Sequence, residues 1–185
     1  MKERKYKEDY GLKMVIDDHG REKRETVYRG EWFHLDAQER KKTLLHTGVC
    51  AVVFAVFYLV YLERNSPSTR CMYVFPIATC ALPCFVYWIM GLWGIWRTPE
   101  KMTRVQKEKG IGRTLRSAIG CAVFMGMAAI GDIVFMCIHM EQHAKAEWVS
   151  FGLIVCAALA AVRGFLEARD AHNQIKSLGK ETQSK

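Results

Sequence analysis

The chain has 185 residues, with 27 Lys and Arg against 19 Asp and Glu, a formal charge of +8 and a mean hydropathy of -0.04. That length bounds it to one domain, and a near-zero mean hydropathy would suit a soluble protein. The distribution excludes a soluble fold: four blocks, 44–62, 72–96, 117–138 and 148–166, are almost purely apolar on every helical face. Each runs roughly 19 to 25 residues, the length a helix needs to cross about 30 Å of hydrocarbon.

The segment ahead of the first block, 1–36, is basic and aromatic. Within it 12–17 and 25–35 carry β-branched and aromatic residues around Asp17-Asp18-His19-Gly20, whose turn chemistry predicts a short β-hairpin. Two strands alone are marginal in water, so Tyr28, Trp32 and Phe33 are expected to lean on lipid headgroups, the neighbouring loops or a partner. Asp36 and Glu39 form a D-x-x-E capping box, which starts the first helix near Ala37. Arg40, Lys41 and Lys42 then fall one turn below the hydrocarbon, where they can meet anionic lipid. So many charged residues precede the first block that it reads as a retained span and not as a cleaved leader.

The second block contains Pro76 and Pro83, each of which removes a backbone hydrogen bond and kinks the helix. Trp88, Trp93 and Trp96 toward its end form an interfacial aromatic belt. Thr98-Pro99-Glu100 reads as the start of a basic amphipathic helix between spans two and three, running to Lys109 and stopped by Gly110. In the last two blocks small residues recur: Ala118, Ala122 and Gly126, and, every four positions, Gly152, Cys156, Ala160 and Gly164. Small faces of this kind allow close helix approach. They predict packing of span three on span four, with a homo-oligomer face as the alternative.

The basic charge follows topology. Lys and Arg number 12 before the first span, 2 in the first loop, 7 in the second, 1 in the third and 5 from Arg163 onward. With both termini inside, 24 of the 27 share the cytoplasmic side, as the positive-inside rule requires, and nucleic-acid binding is not expected. Six of the seven cysteines lie in the spans, Cys71 alone lies in a loop, and no C-x-x-C occurs. A thiol oxidoreductase or a zinc ribbon is therefore excluded. Two four-span classes fail by their motifs: small multidrug resistance proteins place a Glu in the first span, and quinone-linked thiol oxidoreductases need paired cysteines beside the outer loops.

Asp132 is the most informative single residue. It sits inside the third block, about 7 Å beyond its midpoint at 1.5 Å per residue, where an ionisable group marks a polar clamp or an ion path. Depth matching offers Tyr58 of the first span and Thr79 of the second as partners; Pro83 cannot donate to the carbonyl of residue 79. Arg163 lies about 16 Å away in depth and is expected to snorkel to the cytoplasmic interface. His46 is expected to meet a helix carbonyl or headgroups. Asp132, Met136, His139 and His143 share one helical face, on which His with Met would suit copper and His with carboxylate zinc; two loop histidines, His139 and His143, are ordinarily solvated, so no metal is assigned. Gly110-Ile111-Gly112 is too short for a phosphate loop, and no nucleophile has a base and an orienter at a recognisable spacing.

The sequence thus predicts an all-α integral membrane protein: a hairpin segment over 1–36, a four-helix bundle over 37–168 and a polar tail over 169–185. No cofactor and no enzymatic activity are expected. The predicted place is the cell (cytoplasmic) membrane with both termini cytoplasmic, and the predicted role is a subunit, scaffold or regulator of a larger membrane complex with a cytoplasmic protein partner. The alternative is a small proton- or cation-coupled transporter or channel using Asp132.

Overall fold

Inside hydrocarbon a backbone must satisfy its own hydrogen bonds, so apolar blocks of this length can span only as helices. The computed structural model describes residues 9–16, 22–64, 66–67, 71–138 and 144–177; the expected hairpin turn at 17–20, and His139 and His143, lie outside them. Four helices are long and apolar enough to cross a membrane: Ala37–Glu63, Phe75–Arg97, Arg104–Ile138 and Glu147–Gln174.

The chain opens with a hairpin, β1 (Tyr10–Ile16) against β2 (Glu22–Tyr28), in antiparallel register from Tyr10 opposite Tyr28 to Ile16 opposite Glu22. The second strand expected over 25–35 divides in two. After Tyr28 the chain bends, and β3 (Trp32–His34) joins a different sheet. The first long helix, α1 (Ala37–Glu63), begins where the capping box placed it, although the Asp36 side chain makes no cap bond. Span two is α2 (Phe75–Thr79) and α3 (Ala81–Arg97), broken at Cys80. The connection to span three is β4 (Lys101–Thr103), α4 (Arg104–Lys107) and a π-helical turn, Glu108–Gly112, that runs directly into α5 (Arg113–Ile138). The last helix, α6 (Ala144–Gln174), continues eight residues past the expected end of the span before β5 (Lys176–Ser177).

The basic amphipathic helix expected from Thr98 is therefore not formed. Thr98 ends α3 with its hydroxyl on the Gly94 carbonyl at 2.6 Å, and Lys101–Thr103 pairs with β3, Phe33 opposite Met102. The helix starts later, at a capping box in which Gln106 N–H donates to Thr103 Oγ1 at 3.4 Å and Thr103 N–H to Gln106 Oε1 at 2.9 Å. Nor does Gly110 stop a helix. It lets the π turn approach α3 backbone to backbone: a Cβ on Gly94 would lie 2.9 Å from the Lys109 carbonyl oxygen and 3.1 Å from Gly110 Cα. One turn away, a Cβ on Gly91 would meet Thr114 Oγ1 at 2.4 Å.

β3 is the central strand of a three-stranded sheet in the order β4-β3-β5. The segments before span one, between spans two and three, and after span four consequently meet at one end of the bundle, here called the sheet end. Beneath the sheet a small apolar core of Leu35, Ile95, Met102 and Ile111 is packed against Phe33, Leu44 and Ile175.

In the bundle α1 packs on α3 and α6, and α5 on the same two helices. The buried positions advance by alternating three- and four-residue steps: Ala51, Phe54, Tyr58 and Tyr61 on α1; Ala118, Cys121, Met125, Ala128, Asp132 and Phe135 on α5; Ile154, Ala157, Ala161, Gly164 and Ala168 on α6. That seven-residue period belongs to left-handed packing with crossing angles near +20°. Spans three and four pack on each other, as expected from their small residues, but the buried seam does not follow the four-residue stripe. Steps of four turn a helix by about 40° each, so Gly152, Cys156, Ala160 and Gly164 fan around α6. Gly164 is buried under the Trp88 indole, which a Cβ would meet at 2.3 Å, whereas a Cβ on Gly152 would meet nothing within 4 Å and Cys156 is exposed. The outward faces carry large apolar side chains such as Leu45, Val52, Leu59 and Ile130, all more than half exposed, as a lipid-facing surface requires.

Gly94→Val forces a branched side chain against the Lys109 carbonyl and is expected to destabilise the bundle by about 2 kcal/mol. Gly152→Ala, with open space around the added methyl, is expected not to lower stability. Thermal unfolding of the two detergent-solubilised variants distinguishes them.

Candidate functional site

The seven-residue seam places Asp132 inside the bundle, one turn beyond Ala128 and fully buried. Tyr61 of α1 and Ser150 of α6 are equally buried, and Glu147 and Ser66 are 3% and 4% exposed. The Tyr61 phenol lies in the electrostatic field of Asp132, Tyr58 and Glu147. Ser150 Oγ donates to Ser66 Oγ at 3.0 Å, joining α6 to the segment after α1. A polar cluster contributed by α1, α5 and α6 thus occupies the end of the bundle away from the sheet, where polar groups removed from water bind one another more strongly than they would outside.

Tyr58 serves a neighbouring purpose. Pro83 has no N–H to give the preceding turn, and span two breaks at Cys80. The Tyr58 hydroxyl donates to the Ala78 carbonyl at 3.1 Å, and Cys121 Sγ reaches the Ala81 carbonyl at 3.7 Å. Side chains from α1 and α5 therefore supply donors on either side of the break. Thr79 points out of the bundle and bonds back to the Phe75 carbonyl of its own helix at 2.8 Å. Of the three residues proposed from depth alone, Asp132 and Tyr58 are brought into the interior and Thr79 is not. Height along the membrane does not fix rotation about the helix axis, and the break at Cys80 alters that rotation. Of the tyrosines on α1, Tyr61 and not Tyr58 lies in the field of Asp132, as does Tyr73 ahead of span two. The signal of Tyr61 in the sequence is that it follows Tyr58 by three residues on the same seam.

A second polar group links α1 to α6 nearer the sheet end. Glu167 accepts from Arg163 Nη2 at 2.6 Å, and its other oxygen lies 3.3 Å from His46 Nδ1. Arg163, expected to snorkel, and His46, expected to meet a carbonyl or headgroups, both contact Glu167, a turn beyond Arg163. The Trp88 indole fills the bundle between the two polar groups, with ring centroids 6.0 Å from Phe54 and 6.4 Å from Phe85.

Among the described residues no group of three or more His, Cys, Asp and Glu is arranged to hold a metal ion. The polar cluster can do two things chemically: clamp three helices through hydrogen bonds and fields that lipid cannot replace, or hold a proton on a buried carboxyl group. No known family profile, curated protein or solved structure matches the chain.

Tyr58→Phe removes the donor to a buried carbonyl and is expected to cost about 1 to 3 kcal/mol of stability, while Thr79→Val, at the surface, shifts it by less than about 0.5 kcal/mol. Unfolding of both variants in detergent, followed by near-ultraviolet circular dichroism, tests the difference.

Proposed function

We propose that the chain is a non-enzymatic subunit, scaffold or regulator of a larger membrane complex. The observation that carries this reading is the platform at the sheet end, where two segments of the chain are pinned to a strand of a third. Tyr28, at the base of the hairpin, donates to the Glu31 carbonyl at 2.9 Å and accepts from Arg104 N–H at 3.2 Å, fixing the hairpin to the connection between spans two and three. Such a platform is a rigid base for a protein partner. The bundle behind it is filled with aromatic rings around Trp88, which suits an anchor better than a conduit.

The membrane we assign is the cell (cytoplasmic) membrane, with the sheet end inside. The Lys and Arg asymmetry supports this, since 24 of 27 lie on segments that end at the sheet. A membrane-impermeant maleimide added to intact cells is expected to label Cys71, and to label a Lys101→Cys variant at position 101 only after permeabilisation. Labelling of position 101 from outside would reverse the orientation.

Affinity purification of the tagged chain from its native membrane in mild detergent is expected to recover a second protein in a fixed ratio. The second reading, a proton- or cation-coupled carrier, draws on the full burial of Asp132. Solute movement by the purified protein alone in liposomes, abolished by Asp132→Asn, would establish that reading in place of the first.

A further inference from the structure

The basic residues at the sheet end do not form a uniform surface. Lys41 and Lys42 are exposed, but Arg40 turns toward α3 and its guanidinium donates to the Thr98 carbonyl. Arg40, Thr98, Gln106 and Lys107 stand around a narrow, mostly apolar cleft whose floor is the small apolar core beneath the sheet, and no residue lining it is acidic. Lys107 Nζ lies 4.5 Å from the centroid of the Phe33 ring, so its ammonium is held over an aromatic face.

The cleft has a definite depth. Trp88 rests on Gly164; eight residues further along α3 and α6, at the same rise per residue, Trp96 and His172 reach one level. Trp93 and Trp96 lie 5.1 Å apart there, and Arg97 sits 4.8 Å from the Trp93 centroid. Aromatic rings with arginine beside them mark the headgroup level of a membrane helix. Lys107 acts electrostatically on His172 from this region.

We propose that the mouth of this cleft binds the phosphate of an anionic phospholipid from the same leaflet, with Arg40 and Lys107 as charged donors and Gln106 as a neutral one. Arg40 spends one N–H on Thr98 and, as a guanidinium with five donors, keeps others for a ligand. Lys107 lies in the electrostatic field of Arg104, and His172 in that of Lys107. A phosphate relieves that crowding of positive groups. The apolar floor and the depth of the belt favour a lipid over a soluble anion. This inference rests on the membrane reading and is independent of whether the chain is a subunit or a carrier, because lipid affinity is read without any protein partner or solute.

The test uses the full-length protein in neutral detergent, titrated with short-chain phosphatidylglycerol, short-chain phosphatidylcholine or inorganic phosphate, with affinity read from native mass spectrometry and melting temperature. Phosphatidylglycerol is expected to bind more tightly than phosphatidylcholine, and Lys107→Gln to weaken it about fivefold while Arg169→Gln, at an exposed position of α6, leaves it unchanged. If Lys107→Gln melts early in phosphatidylcholine, Lys107→Arg, which keeps the charge, must retain the preference. Equal affinity for the two lipids, or equal loss in the Arg169→Gln control, overturns the site. Inorganic phosphate competing at the same concentration as phosphatidylglycerol overturns the lipid as its occupant.

Discussion

Backbone hydrogen bonds from a strand of three residues, Trp32–His34, hold the beginning, the middle and the end of this chain together. Helices in lipid gain little from apolar burial, because the tails around them are as apolar as their own side chains. Something other than hydrophobic drive must therefore fix which helices are neighbours. Here β3 draws β4 and β5 to itself, which places the sheet-side ends of all four spans on a common base. The apolar core of Leu35, Ile95, Met102 and Ile111 then seals the base to the bundle.

Within the bundle the same problem is solved by fit and by polar contacts. Gly91 and Gly94 give α3 the clearance to lie against the start of α5, and Gly164 gives Trp88 a bed on α6. Where proline denies span two a regular ladder, Tyr58 and Cys121 supply donors from neighbouring helices. The far end is joined by Ser66 and Ser150 and by the buried groups around Asp132, and the sheet-ward half by Glu167 holding Arg163 and His46. These contacts are directional, so they select one rotation of each helix where dispersion alone would accept several.

The spans could be read from the sequence because about twenty consecutive apolar residues have few other uses, and the hairpin because its strands alternate around turn residues. The start of the connection helix could not. Thr103 and Gln106 form a capping box in plain sight, but Thr98-Pro99-Glu100 offers a competing signal, and the choice is made by pairing with residues some seventy positions earlier, from Trp32 with Thr103 to His34 with Lys101. Local pattern carries no information about such a partner. The polar site was half legible for a similar reason. Asp132 announces itself as a lone acid in an apolar block, whereas the choice of Tyr61 over Thr79 depends on the three-and-four seam and on where span two breaks. The seam itself is hard to see, since small residues spaced by fours form a more regular pattern to the eye than the mixed large and small residues that are buried.

The position of β3 in its sheet has a consequence for how the chain is made. Its partner β4 emerges after two spans, but β5 emerges only after all four. At ordinary synthesis rates one edge of β3 waits on the order of ten seconds for that neighbour, while four helices are inserted and packed. The sheet is thus completed only by a chain that has placed its last helix parallel to α3, and a product truncated before Lys176 is left with a bare strand edge, which invites adhesion to other chains.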